Sequence, residues 1–553
     1  MTKDQRLSAL LGAGYFPDEL PPPFTTSSFA KFRKAIGIAW SAIPGDYPKT
    51  IPETFSIPRA KGVRRDLSIV NPIAEYHVAK LIADNWVEIR RHLKSCNFGP
   101  TPLEIVTGQQ RAVEAPDFRL IALRQAEISA SYDHILVADI SRFYGTLYTH
   151  AIPWALHSKA WCKQHLNKQI YDASLGARLD KAVRKGNDNQ TIGIPVGPDS
   201  SRIISELVAI SVDVELRDKL EISSTGALRN VDDWYIGFET AGQAEDAIAT
   251  IAAACRMYQL EIHPDKTTFW RAGSTVDAVW PTTLRQQTFA ATASGQGRDI
   301  EHFFALAFDF AKNYPFQNVL DFAIKRTMAI KVLLDNWHRY ETYLLKAVRA
   351  NPTTIPAVVQ IFASYKAEGY ALNVDRIGKL IKDFIRHCAP ASRHAEIAWM
   401  LFLAKALKIS LNPSDVAPVT ELESSVCALL TLDLRSRSLI NGRIDTSLWE
   451  QSLTGAGLIS SNWLLAYEAS IRGWLPTPAP SFVDTHNRFC VLKTYGVSFY
   501  DINRNVKHIK ARKPRRISSA LAQYLAGTRG NTLPAHASEL SLSKYPPAEP
   551  GAL

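Results

Sequence analysis

The chain is poor in the features that hold small secreted domains or metal-clustered modules together. Its six cysteines (Cys96, Cys162, Cys255, Cys388, Cys427 and Cys490) are scattered over 553 residues, with no CxxC pair and no Cys/His spacing suited to zinc. They read as small buried apolar side chains of a reducing compartment. No apolar run reaches the ~18 residues that a membrane span requires. The nearest, "IAWMLFLAKAL", is too short and reads as a buried helix. The N-terminal "MTKDQRLSALLGAGYF" lacks the apolar core and cleavage site of a secretory signal. A cytoplasmic protein without membrane contact is therefore expected. No repeat of fixed length is found, so a regular solenoid is not indicated.

What is present suits a large globular protein. A 46% apolar and 21% charged composition buries real cores, and the length suggests two to four domains. The net charge of +11 favours a polyanionic partner such as nucleic acid. Residues 1–60 are rich in proline ("FPDELPPPF", "IPGDYPKTIPETFSIP") and are expected to be extended and turn-rich, covering another surface. Residues 61–285 mix short β-favouring runs with helical spacing, which indicates an α+β domain. Residues 286–520 are dominated by amphipathic helical patterns and are expected to form an all-α domain of stacked, HEAT-like helical hairpins. Near its end, "RNVKHIKARKPRR" (Arg504 to Arg516) carries many cations and no acid, as a phosphate-contacting run would. Residues 521–553 are expected to be disordered.

The stretch "LRNVDDWYIGF" sets Asp232 and Asp233 between two apolar runs and reads as a β-hairpin with both acids in its turn. A second apolar strand, "HILVAD", ends on Asp139. Side by side, the two would gather three carboxylates whose mutual repulsion raises their pKa values. A pair of divalent cations removes that penalty; oxygen ligands of this kind suit Mg²⁺, with Mn²⁺ as a substitute. Two such ions stabilise the attacking and leaving oxygens of a displacement at phosphorus.

An apolar strand ending in Asp, then "GIPVGPDSS" before a helix, then "VDD" in a hairpin, then "LEIHPDKT", is similar in motif order to the palm of reverse transcriptases. "ADISRFYGTLYTHAIPWALHSK", "GYFPDELPPPF" and the long helical C-terminus further resemble the bacterial abortive-infection and defence-associated branch. The resemblance implies a fingers and palm domain followed by helices in place of a thumb. It implies that Asp139, Asp232 and Asp233 are the catalytic metal ligands, joined by the backbone carbonyl of Ile140. Tyr144, beside Phe143, matches the aromatic gate against ribose 2′-hydroxyls. Gly193, Pro195, Gly197 and Ser201 match the segment that approaches the incoming nucleotide. Lys61, Arg64 and Arg65 are candidates for holding the triphosphate, with Arg65 the best match, and Lys266 matches a lysine that assists the leaving pyrophosphate.

Two positions depart from the family pattern: Asn230 stands where an aromatic residue precedes x-Asp-Asp, and Val196 stands where Gln is frequent. In ordinary reverse transcriptases both positions lie near the primer end or the templating pair. The resemblance implies dNTPs as substrates and a single-stranded DNA product, and extends to template-free or protein-primed synthesis in antiphage defence, to a structured non-coding RNA partner and to a homo-oligomer. Two readings compete: a catalytically silent RNA-binding or phage-sensing scaffold, and a conventional templated enzyme of a retron or mobile element.

Overall fold

A computed structural model describes residues 1–114, 116–274, 278–477 and 480–509. Two sheets organise them. β1 (Glu53–Pro58) and β2 (Arg64–Ile69) form an antiparallel hairpin. β3 (His134–Asp139), β4 (Ala227–Asn230), β5 (Asp233–Phe238) and β6 (Thr268–Arg271) form an antiparallel sheet in the order β4-β5-β3-β6.

β3 is central because both of its faces are covered. Strand side chains alternate between faces, so Leu136 and Ala138 join the main core while Ile135 meets Ile121 and Ile128 of the helix Phe118–Ser131. On the main face the helix Ala241–Met257 packs against β3 and β5, presenting Ala244, Ala247, Ile251 and Ala254 at helical spacing.

The N-terminal region departs from expectation. Residues 1–60 contain two helices, Lys3–Gly12 and Ser27–Ser41, and the proline cluster only links them. The first helix opens on a capping box in which Thr2 and Gln5 satisfy each other's backbone N–H groups. Proline density had hidden that local signal.

From Trp280 to Thr494 the named elements are all helical, with Val374–Cys388 and Ser425–Ser436 both packed on His394–Leu407. These helices do not stand apart from the rest. The main core runs without a break from Leu7 to Tyr500. β1 packs on the helix His394–Leu407; Trp463 Nε1 donates to the carbonyl of Ile69, and Asn71 Nδ2 donates to that of Leu458. The segment around Phe499 returns to the N-terminus, where its carbonyl accepts from Thr25 N–H and its ring meets Tyr15, Phe16, Phe29, Trp463 and Tyr467. Trp399 and Trp463 are core residues, and Trp474 is half-buried against Tyr500.

Within the basic run, the described part ends at Ile509, whose N–H donates to Ser364 Oγ; the rest of that run and the tail at 521–553 lie outside the described residues. Among the described residues no helix is long and apolar enough to cross a membrane.

Candidate active site

The site is set by strand register. β3 and β5 run antiparallel with Asp139 directly opposite Asp233, a pairing that puts the two Cα atoms about 4.5–5.5 Å apart. β4 and β5 are joined by a two-residue turn, because Asn230 and Asp233 are themselves register partners. The turn therefore holds Val231 and Asp232, and Asp233 is the first residue of β5 rather than a turn residue. The N–H of Ile140 donates to the carbonyl of Asp232 at 3.0 Å, which docks the turn against the end of β3.

The three carboxylates share one corner. Asp139 is 4% exposed, and its Oδ2 accepts from Lys266 Nζ at 2.6 Å. Asp232 is raised above the ordinary carboxylate range by burial and by the charge of Asp139. Asp233 keeps an exposed outer edge, yet is pushed up to about 7 by burial in the cleft, by the hydrogen bond it shares with Asp139 and by the charges of Asp232 and Asp139. Lys266 is raised in turn, chiefly by its bond to Asp139. Two carboxylates raised in this way by a neighbouring like charge are short of positive charge.

That donor set fits a hard divalent cation. Its side chains offer only oxygen. The N–H groups of Ser141 and His263 are taken by the carbonyls of Glu261 and Asp139. The Ile140 N–H is turned instead toward the hairpin, and in extended backbone its carbonyl points the same way. Among the described residues no three acidic, His or Cys side chains close into a cage. The triad is an open set, of the kind Mg²⁺ completes with water and substrate phosphate.

The other expected residues divide. The carbonyl of half-buried Tyr144 accepts from Ile194 N–H, and its hydroxyl accepts from Ser205 Oγ at 3.2 Å, so it is tied both to the "GIPVG" segment and to the helix Asp199–Leu220. Gly193 (φ +84°) lies against Gly145, where a Cβ would meet the Gly145 carbonyl oxygen at 3.2 Å. Gly197 (φ +132°) lies against Pro17, whose Cγ would be 2.7 Å from a Cβ. Pro195 and Ser201 are buried in the same seam, and Val196 gives its carbonyl to Ser68 N–H of β2. Arg65 is exposed, and its charge acts on Asp232.

The structure places three further candidates in other contacts. Phe143 is 2% exposed and belongs to the core, so its ring is unavailable to a nucleotide. Arg64 points to the opposite face of β2 from Arg65. It forms an ion pair with Glu396 at 2.7 Å and donates to Ser56, which commits it to the helical region. Lys61, at the hairpin tip, places its ammonium 4.0 Å from the ring centroid of Phe316.

Some contributing residues gave no sequence signal. Arg59, at the end of β1, is lowered by burial and by the charge of Arg65, and also feels Asp232, so two guanidinium groups border the site. Arg111 donates to the carbonyls of Phe16 and Gly197 and pairs with Asp199 at 2.7 Å, buttressing the turn before the helix. Beneath the hairpin, Arg229 pairs with Asp213 and Glu206, and Trp234 Nε1 donates to Asp213.

Comparison with known proteins agrees with this geometry. Residues 80–293 match the family model described as reverse transcriptase (RNA-dependent DNA polymerase). That match leaves the β1–β2 hairpin and the C-terminal helices outside it. A search of the curated proteins gives no match. Over residues 80–293 the chain is thus similar to a reverse transcriptase domain.

Proposed function

We propose that the chain is a DNA polymerase of the reverse-transcriptase type that acts in antiphage defence, with Asp139, Asp232 and Asp233 as its metal-holding carboxylates. One observation carries the reading: the β3–β5 register that sets Asp139 opposite Asp233, with Lys266 against them. Two divalent ions, Mg²⁺ or in substitution Mn²⁺, would supply charge neutralisation at the phosphates and a more acidic attacking hydroxyl.

The chain's own groups do the rest by positioning and electrostatics. Tyr144, held by Ser205, presents its ring where a ribose 2′-hydroxyl would lie. Arg59 and Arg65 face the site from the hairpin and take the triphosphate. Lys266 stands ready to neutralise the departing pyrophosphate.

The finer reading concerns template and primer. Arg64–Glu396, Lys61–Phe316 and Trp463–Ile69 join the hairpin to the C-terminal helices. A hairpin fixed in this way, together with Asn230 and Val196 at the primer and template positions, supports synthesis that does not grip a conventional duplex. We read the product as a single DNA strand, started from a protein hydroxyl or beside a structured RNA, in a homo-oligomer.

The test is incorporation by purified protein with Mg²⁺ and one labelled dNTP at a time, with and without co-purified RNA. Products are then treated with DNase, RNase and protease. Label released from protein only by proteolysis supports protein priming, and dependence on the RNA supports templating. No label under any condition overturns the polymerase reading in favour of a silent scaffold.

A further inference from the structure

The turn that carries Asp232 is strained. A two-residue hairpin needs positive φ at its first central position, where glycine is the usual solution. Here that position is Val231, at φ +60°. A β-branched residue there is a genuine outlier and persists only where its surroundings over-determine it.

The surroundings do so through one side chain. Arg229 is 1% exposed. Its Nε donates to Asp213 at 2.8 Å, and its two terminal nitrogens donate to Glu206 at 3.1 and 2.7 Å. One of them also donates to the carbonyl of Val231 at 2.7 Å. That carbonyl belongs to the peptide that leads into Asp232. The peptide that leads out is held by Ile140 N–H, which donates to the Asp232 carbonyl. Both peptide groups flanking Asp232 are thus pinned, one from the end of β3 and one from beneath.

We infer that Arg229 is a positioning residue: its guanidinium, anchored on Asp213 and Glu206, holds the strained Val231–Asp232 turn so that the Asp232 carboxylate faces Asp139. The inference rests on the polymerase reading for its catalytic meaning, but not for its geometry. Arginine is required because only a planar fork reaches two carboxylates and a carbonyl together. Asp213 and Glu206 lie two turns apart on one face of the helix Asp199–Leu220, which also carries Ser205, the donor to Tyr144. The same anchor therefore fixes the carboxylate relative to the nucleotide gate.

The experiment compares Arg229→Lys with the parent chain. The ammonium keeps the charge but cannot span all three acceptors. The turnover for incorporation falls about 10- to 100-fold, while KM for the dNTP stays within about threefold. Mn²⁺ affinity of the protein without nucleotide, read by electron paramagnetic resonance, weakens by about tenfold. Glycine adopts φ +60° without strain, so adding Val231→Gly to Arg229→Lys restores part of both. Glu206→Gln, a milder change in a partly exposed partner, gives a smaller loss of both in a chain that folds. If Arg229→Lys and Glu206→Gln lower only the melting temperature, leaving turnover and Mn²⁺ affinity within about twofold, the inference is overturned. A parent chain that binds Mn²⁺ but incorporates nothing sinks the polymerase reading instead, and the Mn²⁺ comparison still decides the role of Arg229.

Discussion

The guanidinium of Arg64 lies 2.7 Å from the carboxylate of Glu396, 332 residues further along the chain. Glu396 is 1% exposed and Arg64 25%, so neither charge is well served by water. Removing one partner of such a pair strands the other, at a cost of about 3–5 kcal/mol, whereas an apolar replacement of both is far milder. Glu396→Ala is expected to unfold at markedly lower denaturant, and Arg64→Met with Glu396→Leu to recover most of the loss. Denaturant titration of the three chains checks this.

Asp232→Asn is expected to reduce incorporation by about 10²–10³-fold or more, without lowering the melting temperature. The wild-type corner concentrates like charge, with Asp232 and Asp233 both raised above the ordinary range. Neutralising one carboxylate relieves that repulsion. A melting temperature that falls with the activity would show a structural role instead.

Tyr144→Ala is expected to lower the preference for dNTP over rNTP by about 10- to 100-fold. Its ring is fixed by the Ser205 hydroxyl and by Ile194 at its backbone, so the truncation opens space where it stands rather than letting a neighbour fill it. The ratio of kcat/KM for the two sugars measures it.

Stability is expected to fall as pH rises from 6.5 to 8. Glu75 is fully buried and held up to about 8 by burial, and Glu53 to about 7 for the same reason. An unfolded glutamate titrates near 4.5, so across this window the native state binds more protons than the unfolded chain. Its advantage, complete below the unfolded pKa, is lost as pH climbs through the native values. His77, held down to about 4 by burial, is neutral in the native state, while the unfolded imidazole titrates near 6.5, so it opposes this slope only at the lower end of the window. Glu75→Gln should flatten the upper part of the curve, as read by thermal melts in matched buffers.

The legible parts of this protein were those with a local signature. Asp139 ends an apolar strand and Asp232–Asp233 interrupt one, so each could be read from a dozen residues, and the sheet brings them together. The fate of Arg64 was not readable, because nothing near "KGVRRD" announces Glu396. The same holds for Arg229, whose partners lie on the preceding helix. Asp233 was misplaced by one position because the turn type depends on a positive φ at valine, which composition does not suggest. The N-terminal helices were missed because prolines in the connector outweighed a capping box at Thr2.

The closure of Phe499 onto Thr25 and the aromatic rings around Tyr15 has a consequence for biosynthesis. A ribosome making this chain finishes the four-stranded sheet long before it finishes the seam that packs on the first two helices. The second helix finds this partner only once a segment 470 residues beyond Ser28 has been made.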